Sequence, residues 1–363
     1  MVNGTPASGR LARRRLAVAL AALIAAFSAR AETFKLFGSA GAETQLTPAN
    51  GASPLLHGNT GAVAYQTNSS DAVAFVRAWN VHLKLRAESG GTASVGEAFV
   101  EFAPRPWLTV SAGRIIEKWG TGYAWNPVAF ISPRKNPADP TDRRSSYAGV
   151  DMVRADAFVR DTNISLYALR DGRYAARVYR LVRGTDISLY VSNAPNAGRA
   201  SAHPGLSLAR VFGDALELHG EIAPRHALAG GQYTFRDNVN VVVELYHGGD
   251  GLSAAQWRAF CAHVDAARDA GTLLAANAAY APLHMARNYA FARIDRPGFV
   301  EVELITIVNL RDGSALARLT LSRKLRPNLS AYLIDTEFSG RRESEMSYIQ
   351  VRRATTAGVR LYF

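Results

Sequence analysis

A segment rich in glycine and aromatic residues carries the side chains best suited to bind a solute. Gly113-Arg114 is followed by Trp119-Gly120-Thr121-Gly122-Tyr123-Ala124-Trp125-Asn126-Pro127. Glycine permits tight backbone turns, and the rings of Trp119, Tyr123 and Trp125 are rigid planes on which a sugar can stack. With Arg114 and Asn126, these rings predict a folded loop that lines a pore. The alternative is an aromatic belt at a membrane surface.

A second set of candidates consists of charged residues on the polar faces of alternating segments. Acids and bases on these faces are nearly balanced, so a strong preference for anions is not expected. Opposed charged walls could instead orient a dipolar or polyhydroxylated solute, or the charges could simply pair across strands. The pore candidates of this set are Arg154, Arg318, Arg352, Glu301 and Glu303.

Enzymatic and metal chemistry find little support in the chain. Cys261 is the only cysteine, which excludes an internal disulfide framework and a zinc site built on paired cysteines. The eight histidines are scattered, and none is spaced from a serine as in a hydrolase. We therefore assign no catalytic residue, metal or cofactor. A hydrolase built on a membrane barrel is the weakest alternative.

The first 31 residues predict a signal peptide. Four arginines between Arg10 and Arg15 precede an apolar run from Leu16 to Phe27, and Ala29-Arg30-Ala31 fits a cleavage site. The run is too short for a membrane-spanning helix, which needs about 20 residues. Export through the Sec pathway with cleavage near Ala31 is expected. Five of the excess positive charges lie in this segment, and no basic tract follows it, so a nucleic-acid partner is not expected.

Alternation of apolar and polar residues dominates the remaining chain, 32–363. Val241, Val243 and Leu245, for example, alternate with Val242, Glu244 and Tyr246, which is typical of a strand with two different faces. Eighteen strands are predicted, although 14 or 16 remain possible because some segments are weak. They are 33–45, 60–67, 72–87, 93–103, 107–117, 149–160, 163–171, 174–183, 185–192, 204–212, 215–223, 228–236, 238–247, 288–296, 299–310, 314–324, 328–338 and 348–363.

These strands are predicted to form an all-β, transmembrane, antiparallel up-and-down β-barrel. The chain after residue 31 has no apolar stretch long enough for a transmembrane helix. A protein that crosses a bilayer without helices must close its sheet, because lipid offers no hydrogen-bond partner to an open edge. Tight turns alternate with long loops at 118–148 and 248–287, which is the asymmetry of bacterial outer-membrane barrels.

The second long loop is predicted to be helical. Ser253 and Gln256 form a capping box, and Trp257, Phe260, Cys261 and Val264 follow on one apolar stripe. Gly271 is the expected helix stop, and Thr272 the cap of a shorter helix that ends before Pro282. Trp257, Phe260 and Val264 would hold the insertion as a plug that narrows the pore. A passive cap over the mouth is the alternative.

The last strand ends in an aromatic residue. Thr355, Ala357, Val359, Leu361 and Phe363 fall on one face. The terminal segment, with Gly358, Leu361 and Phe363, resembles the signal by which the outer-membrane assembly machinery recognises its clients. That machinery and the lipid of the outer membrane are therefore expected partners.

The segment from Gly113 to Pro127 also resembles a Gly-Arg, Trp-Gly-x-Gly, Trp-Asn-Pro signature. This signature occurs in a group of Gram-negative outer-membrane barrels that are porin-like and related to alginate-export channels. The helical insertion is similar to one in that group. The resemblance covers the layout of most of the chain but only these segments and the terminus in residues, so it transfers no site.

A channel for diffusion of a small polar solute or saccharide across the bacterial outer membrane is the function expected from these patterns. A lumen of 14 to 18 strands is too wide for side chains alone to fill. The alternative from another class is an assembly or polysaccharide-binding barrel that does not conduct.

Overall fold

The computed structural model describes residues 34–59, 61, 63–196 and 199–363, so the predicted signal peptide lies outside the described residues. Within them, 18 antiparallel strands form a single sheet in which each strand pairs with the next. The sheet closes because β1 pairs with β18, with Ser39 opposite Tyr362 and Leu46 opposite Thr355. The predicted closed barrel is confirmed.

The strands have the following bounds: β1 Phe34–Leu46, β2 Gln66–Ala78, β3 Val81–Glu88, β4 Ala93–Arg105, β5 Leu108–Ile115, β6 Val150–Val159, β7 Thr162–Leu169, β8 Tyr174–Val182, β9 Thr185–Asn196, β10 Arg199–Phe212, β11 Leu216–Ala223, β12 His226–Thr234, β13 Asn240–Gly248, β14 Asn288–Arg296, β15 Glu301–Asn309, β16 Ala315–Arg326, β17 Leu329–Ser339 and β18 Arg353–Tyr362.

The count of 18 is confirmed, but two of the predicted strands were drawn wrongly. Among the described residues of the predicted strand 60–67, only Gln66 and Thr67 are in a strand, and they begin β2. Segment 72–87 is two strands, β2 and β3, joined by a turn at Trp79 and Asn80 in which Trp79 has a positive φ of 51°. The alternation continues across this two-residue turn, so the sequence pattern did not show the break. The two errors compensate in the total.

The two faces of the wall differ as the alternation predicts. On β13, Val243 and Leu245 are 49% and 55% exposed, whereas Glu244 between them is fully buried. On β16, Leu319 faces outward and Arg318 faces inward at 7% exposure. A wall that is apolar outside and polar inside suits a barrel surrounded by lipid, because a charge at mid-bilayer costs about 2–4 kcal/mol for Arg or Lys.

The two ends of the barrel also differ. All long connections, at 47–65, 116–149, 249–287 and 340–352, lie at one end, which we call the loop end. The opposite end, the turn end, has short connections and is ringed by aromatic side chains that are at least 45% exposed. These are Trp79, Trp107, Phe212, Phe235, Phe299 and Phe363. Such a ring is typical of the aromatic girdle of membrane barrels.

The connection 249–287 contains two helices, α1 (Ala254–Ala266) and α2 (Ala270–Ala279). The predicted capping box is present, with the Ser253 side chain accepting from the backbone N–H of Gln256. The predicted boundary between the helices was wrong: Gly271 lies inside α2, and Asp269 caps it by accepting from the N–H of Thr272. A carboxylate at the N-cap satisfies a free N–H of the first turn, which fixes the start of α2 before the glycine. No helix within the described residues has the length and apolar character needed to cross a membrane.

Candidate functional site: the loop that crosses the lumen

Residues 116–149, here called the lumen loop, leave β5 at the loop end and fold into the barrel. Along its length the loop contacts inward-facing residues of strands from most of the circumference. These contacts are made with Tyr167 on β7, Tyr190 on β9, Glu221 on β11, Glu244 on β13, Tyr289 on β14, Arg318 on β16, Glu43 on β1 and Lys84 on β3. The loop therefore spans the interior rather than lying over its rim.

Trp119 anchors the first part of the lumen loop. Its ring is 1% exposed and packs against Tyr167 and Tyr190, with centroids 5.3 and 4.9 Å away. The indole N–H donates to the Tyr167 hydroxyl at 3.4 Å. Phe130, from the returning part of the loop, meets the same ring edge-on at 6.2 Å. Burial of this aromatic cluster fixes the loop against β7 and β9.

Glu221 on β11 holds the next turn of the lumen loop. Its carboxylate accepts three backbone N–H groups, from Thr121 at 2.5 Å, Gly122 at 2.6 Å and Val128 at 3.2 Å. The residue is only 4% exposed. A buried carboxylate needs such donors to offset the loss of hydration, and successive N–H groups of a turn form a suitable concave anion site.

Glu244 on β13 repeats this arrangement two strands further on. It is fully buried and accepts the N–H of Ala124 at 2.8 Å and that of Tyr123. His219 on β11 approaches the same carboxylate at 2.9 Å. Two wall carboxylates thus bind five N–H groups of the sequence from Thr121 to Val128.

Aromatic stacking holds the loop against β13 and β14. Trp125 is 3% exposed and lies parallel to Tyr246, with centroids 4.8 Å apart and an interplanar angle of 3°. It also stacks on Tyr289 at 5.7 Å. Tyr123 packs on Phe291 at 5.6 Å. Trp119 and Trp125 are buried inside the barrel, so the aromatic-belt interpretation is wrong for them.

Gly120 explains why the loop needs a glycine beside Glu221. Its φ is +95°, and a Cβ there would lie 2.5 Å from Glu221 Oε1. An L side chain in this conformation is strained, and the space it would need is occupied by the carboxylate. The first glycine of the Trp-Gly-x-Gly sequence thus lets the backbone approach its anchor.

Ion pairs fix the far part of the lumen loop. Arg318 on β16 contacts Asp139 at 3.2 Å. Arg143 and Arg144 both pair with Glu43 on β1. Arg143 also lies over the Tyr332 ring at 4.4 Å.

The surroundings shift the pKa values of Lys135 and Tyr123, among other ionisable side chains of the loop. Burial lowers the pKa of Lys135, whose ammonium donates to the carbonyl of Gly122 and lies near Glu221 and Glu244. Burial also raises the pKa of Tyr123 to about 12. The tyrosine ring lies under the Arg293 guanidinium at 5.1 Å.

The lumen towards the turn end carries paired charges. Arg154 contacts Asp156 at 2.8 Å and Glu117 at 3.0 Å. Arg293 contacts Glu303 at 2.6 Å. These predicted or neighbouring charges pair within the barrel, which supports the pairing alternative over separated charged walls.

Four of the predicted pore residues belong to the lumen loop: Trp119, Tyr123, Trp125 and Asn126. Arg154 and Arg318 contact the loop through Glu117 and Asp139. Glu303 pairs with Arg293, whose guanidinium lies over the Tyr123 ring. Asn126 bridges the loop internally: it donates to Pro133 O at 3.1 Å and accepts the Lys135 N–H at 3.2 Å. The predicted pore residues thus include four residues of the loop and three inward-facing charges that lie near it.

Three predicted pore residues are not part of this arrangement. Arg114 is one of the outward-facing residues of β5, and it pairs with Asp151 at 2.9 Å on the outer face. Arg352 is exposed in the 340–352 connection, before β18 begins. Glu301 lies exposed at the turn end, where Ser322 donates to it. Each of these residues lies away from the lumen loop, because its side chain is on the outer face of the wall or its position is too close to one end of the barrel.

The helical insertion packs mainly on other connections of the loop end. Trp257, 5% exposed, meets Tyr348 edge-on at 5.3 Å, and its N–H donates to Glu343 O at 2.8 Å. Phe260 lies against the same tyrosine at 5.8 Å, and Val264 is fully buried among these side chains. Their partners belong to the 340–352 connection and to Leu55, so these contacts favour the cap alternative for the two helices.

Glu345 connects this cap to the barrel wall. The fully buried carboxylate accepts the Leu283 N–H at 2.7 Å, the Tyr289 hydroxyl at 2.9 Å and the Asn309 amide at 2.7 Å. Burial raises the pKa of Glu345 to about 7. The residue sits in a 3₁₀ segment, Glu345–Tyr348, and the last strand begins at Arg353 rather than at the predicted residue 348.

The residues of the predicted assembly signal lie on β18 and just after it. Gly358 faces inward beside Tyr332, whereas Leu361 and Phe363 face outward at 43% and 53% exposure. Phe363 pairs through its backbone with Gly38 of β1. Recognition by an assembly machinery remains a prediction.

The wall anchors Glu221 and Glu244 were seen in the sequence only as unspecified inward acids. A signal for them exists in the register: Glu221 lies opposite Ser207 and Leu228, and Glu244 opposite Gly230 and Phe291. Neither carboxylate has a basic partner directly across the sheet, so its donors must come from elsewhere. That signal requires the strand pairing, which the sequence alone does not provide.

Comparison with known proteins shows similarity in fold but not in sequence. No protein-family profile matches the chain. No curated protein sequence matches it either. Solved structures of Rhodopseudomonas blastica porin variants superimpose on it with a TM-score of 0.51 and 12% identity, covering 91% of this chain and 100% of theirs. A structure described as "Asymmetric conductivity of engineered proteins" matches with a TM-score of 0.51 and 13% identity over the same shares. At this identity the likeness concerns the fold alone: the described residues form a closed, porin-like β-barrel of 18 strands.

Proposed function

We propose that this protein is a diffusion channel of the bacterial outer membrane, in which the lumen loop forms the constriction. The observation that carries the proposal is the attachment of Thr121 to Val128 to two inward carboxylates, Glu221 and Glu244. A loop that is bound to the wall inside a barrel narrows the path through the lumen and leaves the surrounding sheet unchanged. The apolar outer face of the wall and the circle of exposed aromatic side chains at the turn end support a location in lipid.

The solute is proposed to be small and polar, or a saccharide. Two cavities with charged residues in their lining border the loop. One, of about 540 Å³, is lined by Asp139, Arg143 and Arg318 and by strands β16 to β18. The other, of about 510 Å³, is lined by Arg154, Asp156 and Arg177 nearer the turn end. Their charges are mixed, so weak charge selectivity is expected.

This proposal places the constriction in the lumen loop and treats α1 and α2 as a cap. The helices bury their apolar stripe against loop residues, whereas the lumen loop contacts the wall on opposite sides of the interior. The sequence-based expectation that Trp257, Phe260 and Val264 plug the pore is therefore replaced by a proposal that they stabilise the mouth.

A barrel that does not conduct is the second candidate, and one observation favours it. The lumen loop packs tightly, and Trp119, Ala124, Val128 and Tyr289 are at most 1% exposed. Such a barrel would serve as a surface-binding or assembly protein.

Purified protein in a planar lipid bilayer distinguishes the two candidates. The channel proposal expects stepwise single-channel currents from the wild-type protein, and sugars or small polar solutes should diffuse into liposomes that contain it. Correctly folded protein that inserts but passes neither ions nor solutes would favour the second candidate.

A further inference from the structure

A separate cavity at the loop end combines enclosure with an excess of positive charge. It has a volume of about 540 Å³ and lies above Trp125, between the lumen loop and the ends of β10 to β13. Four arginine and lysine side chains line it, together with three histidines and a single acid, Asp250. The arginines and the lysine are Arg134, Lys135, Arg173 and Arg225. Volumes of this size are typical of small-molecule sites.

Most of these charges already have partners, but one does not. Arg225 contacts Asp250 at 3.2 Å, and His226 contacts the same carboxylate at 3.0 Å. Arg173 pairs with Asp171 at 2.8 Å. Arg134, by contrast, is exposed and has no acid within ion-pair distance in the described part of the chain. The only acid of the cavity is thus neutralised, and one guanidinium remains available.

The unpaired guanidinium shares the cavity with aromatic rings. Trp125, which is 97% buried, and Tyr246, which stacks on it at 4.8 Å, line the cavity together with Arg134. A guanidinium binds a carboxylate through charge-assisted hydrogen bonds, so the unpaired Arg134 calls for a negatively charged oxygen.

Apolar and aromatic side chains also line the cavity, beside the polar Asn126 and Ser132 and the histidines His203, His226 and His284. Phe130, Ala129 and Pro127 of the lumen loop and Tyr246 and Pro224 of the wall contribute to it. An inorganic anion would leave this surface uncovered, whereas an organic acid would place its carboxylate near Arg134 and its apolar body against the rings. Burial of such a body is favourable in addition to the charge interaction.

We propose that this cavity is a binding site for a small organic monocarboxylate that bears an apolar or aromatic group. The site deepens the proposed channel function by selecting a solute class at the outer mouth. It can be tested without conduction.

Isothermal titration of the full-length protein in detergent provides that test. Benzoate, neutral benzyl alcohol and inorganic phosphate are compared as ligands. Benzoate should bind at least about tenfold more tightly than either of the others, because only benzoate has both the charge and the ring. Equal binding of benzoate and benzyl alcohol, or of benzoate and phosphate, would overturn the proposal.

Substitutions locate the binding. Arg134→Gln should weaken benzoate about tenfold. Arg170→Gln, which changes an exposed arginine of the same end that does not line the cavity, should leave it unchanged. Equal effects of the two arginine variants, or no effect of Arg134→Gln, would contradict the site. A protein that conducts but does not bind benzoate refutes this inference alone, and one that binds but does not conduct refutes the channel.

Discussion

Glu221 Oε1 accepts the backbone N–H of Gly122 at 2.6 Å, across a sequence separation of 99 residues. This contact joins the loop that follows β5 to a strand on another part of the wall. The same carboxylate also accepts from Thr121 and Val128. The position of the lumen loop, the proposed constriction, therefore depends on a wall residue as much as on the loop itself.

Replacing Glu221 should release the lumen loop. Glu221→Ala leaves three buried N–H groups without an acceptor, each at a cost of about 1–3 kcal/mol. The loop should then leave the lumen part of the time. Single-channel recordings should show larger and noisier currents than those of the wild type. Glu301→Ala, which removes an exposed acid at the turn end, is the control and should not change the current. Identical currents from both variants would show that Glu221 does not hold the constriction in place.

Gly120 tests the close approach of loop and wall. Gly120→Ala adds a Cβ at 2.5 Å from Glu221 Oε1 and places an L residue at a φ of +95°. Gly172→Ala has the same backbone penalty at a φ of +86°, but its Cβ meets open space. That penalty is about 1–2 kcal/mol. We expect altered conductance for Gly120→Ala and wild-type conductance for Gly172→Ala. Wild-type conductance in both would show that the approach is not needed.

The helical cap should be dispensable for the constriction. Deletion of 254–279 with a short Gly/Ser connection removes α1 and α2 but leaves Pro282 and the contacts of Glu345 in place. The conductance should stay close to that of the wild type, while open-channel noise should increase because the mouth loses support. A large rise in conductance would instead support the plug interpretation.

Glu345 should make the cap sensitive to pH. Its pKa is raised from the ordinary value to about 7, so the folded cap favours the protonated carboxyl. The resulting stabilisation is complete below about pH 4.5 and is lost as the pH rises through 7, with a total on the order of 3 kcal/mol. Hydrogen exchange measures it: after correction for intrinsic rates, protection of the Leu283 and Met285 amides should fall between pH 5 and 8. In Glu345→Gln, which cannot ionise, protection should not depend on pH. The same pH dependence in both proteins would assign it to another group.

Much of the barrel could be predicted because it depends on interactions between residues that are close in sequence. Period-two alternation and lipid-facing apolar positions follow from the pleat of a single strand, and the capping box at Ser253 involves only a few neighbouring residues. The break at Trp79 was missed because a two-residue turn does not interrupt the alternation. Gly271 was taken as a helix stop because the stronger cap, Asp269, is recognised only by its contact with Thr272.

The lumen loop could be predicted only in part because its contacts are long-range. Its Trp, Tyr and Gly residues indicated a folded loop, and their chemistry is consistent with the observed packing. The anchors Glu221 and Glu244, however, lie 99 and 120 residues away in sequence from the loop residues they bind. Arg114 looked like part of the same motif, yet the parity of β5 turns it outward to Asp151. Whether a wall residue contacts the lumen loop depends on which face of the sheet its side chain is on and how far along the barrel it lies. Both depend on the register of the closed sheet.

Comparison of the wild-type protein with a variant whose residues 118–148 are replaced by a short Gly/Ser linker tests the central claim most directly. Both are inserted into planar bilayers, with the Glu221→Ala/Glu244→Ala double variant as a version that keeps the loop. We predict small stepwise currents for the wild type and several-fold larger ones for both variants. Currents that are unchanged when the loop is removed, or a folded wild-type protein without any current, would contradict a channel constricted by this loop.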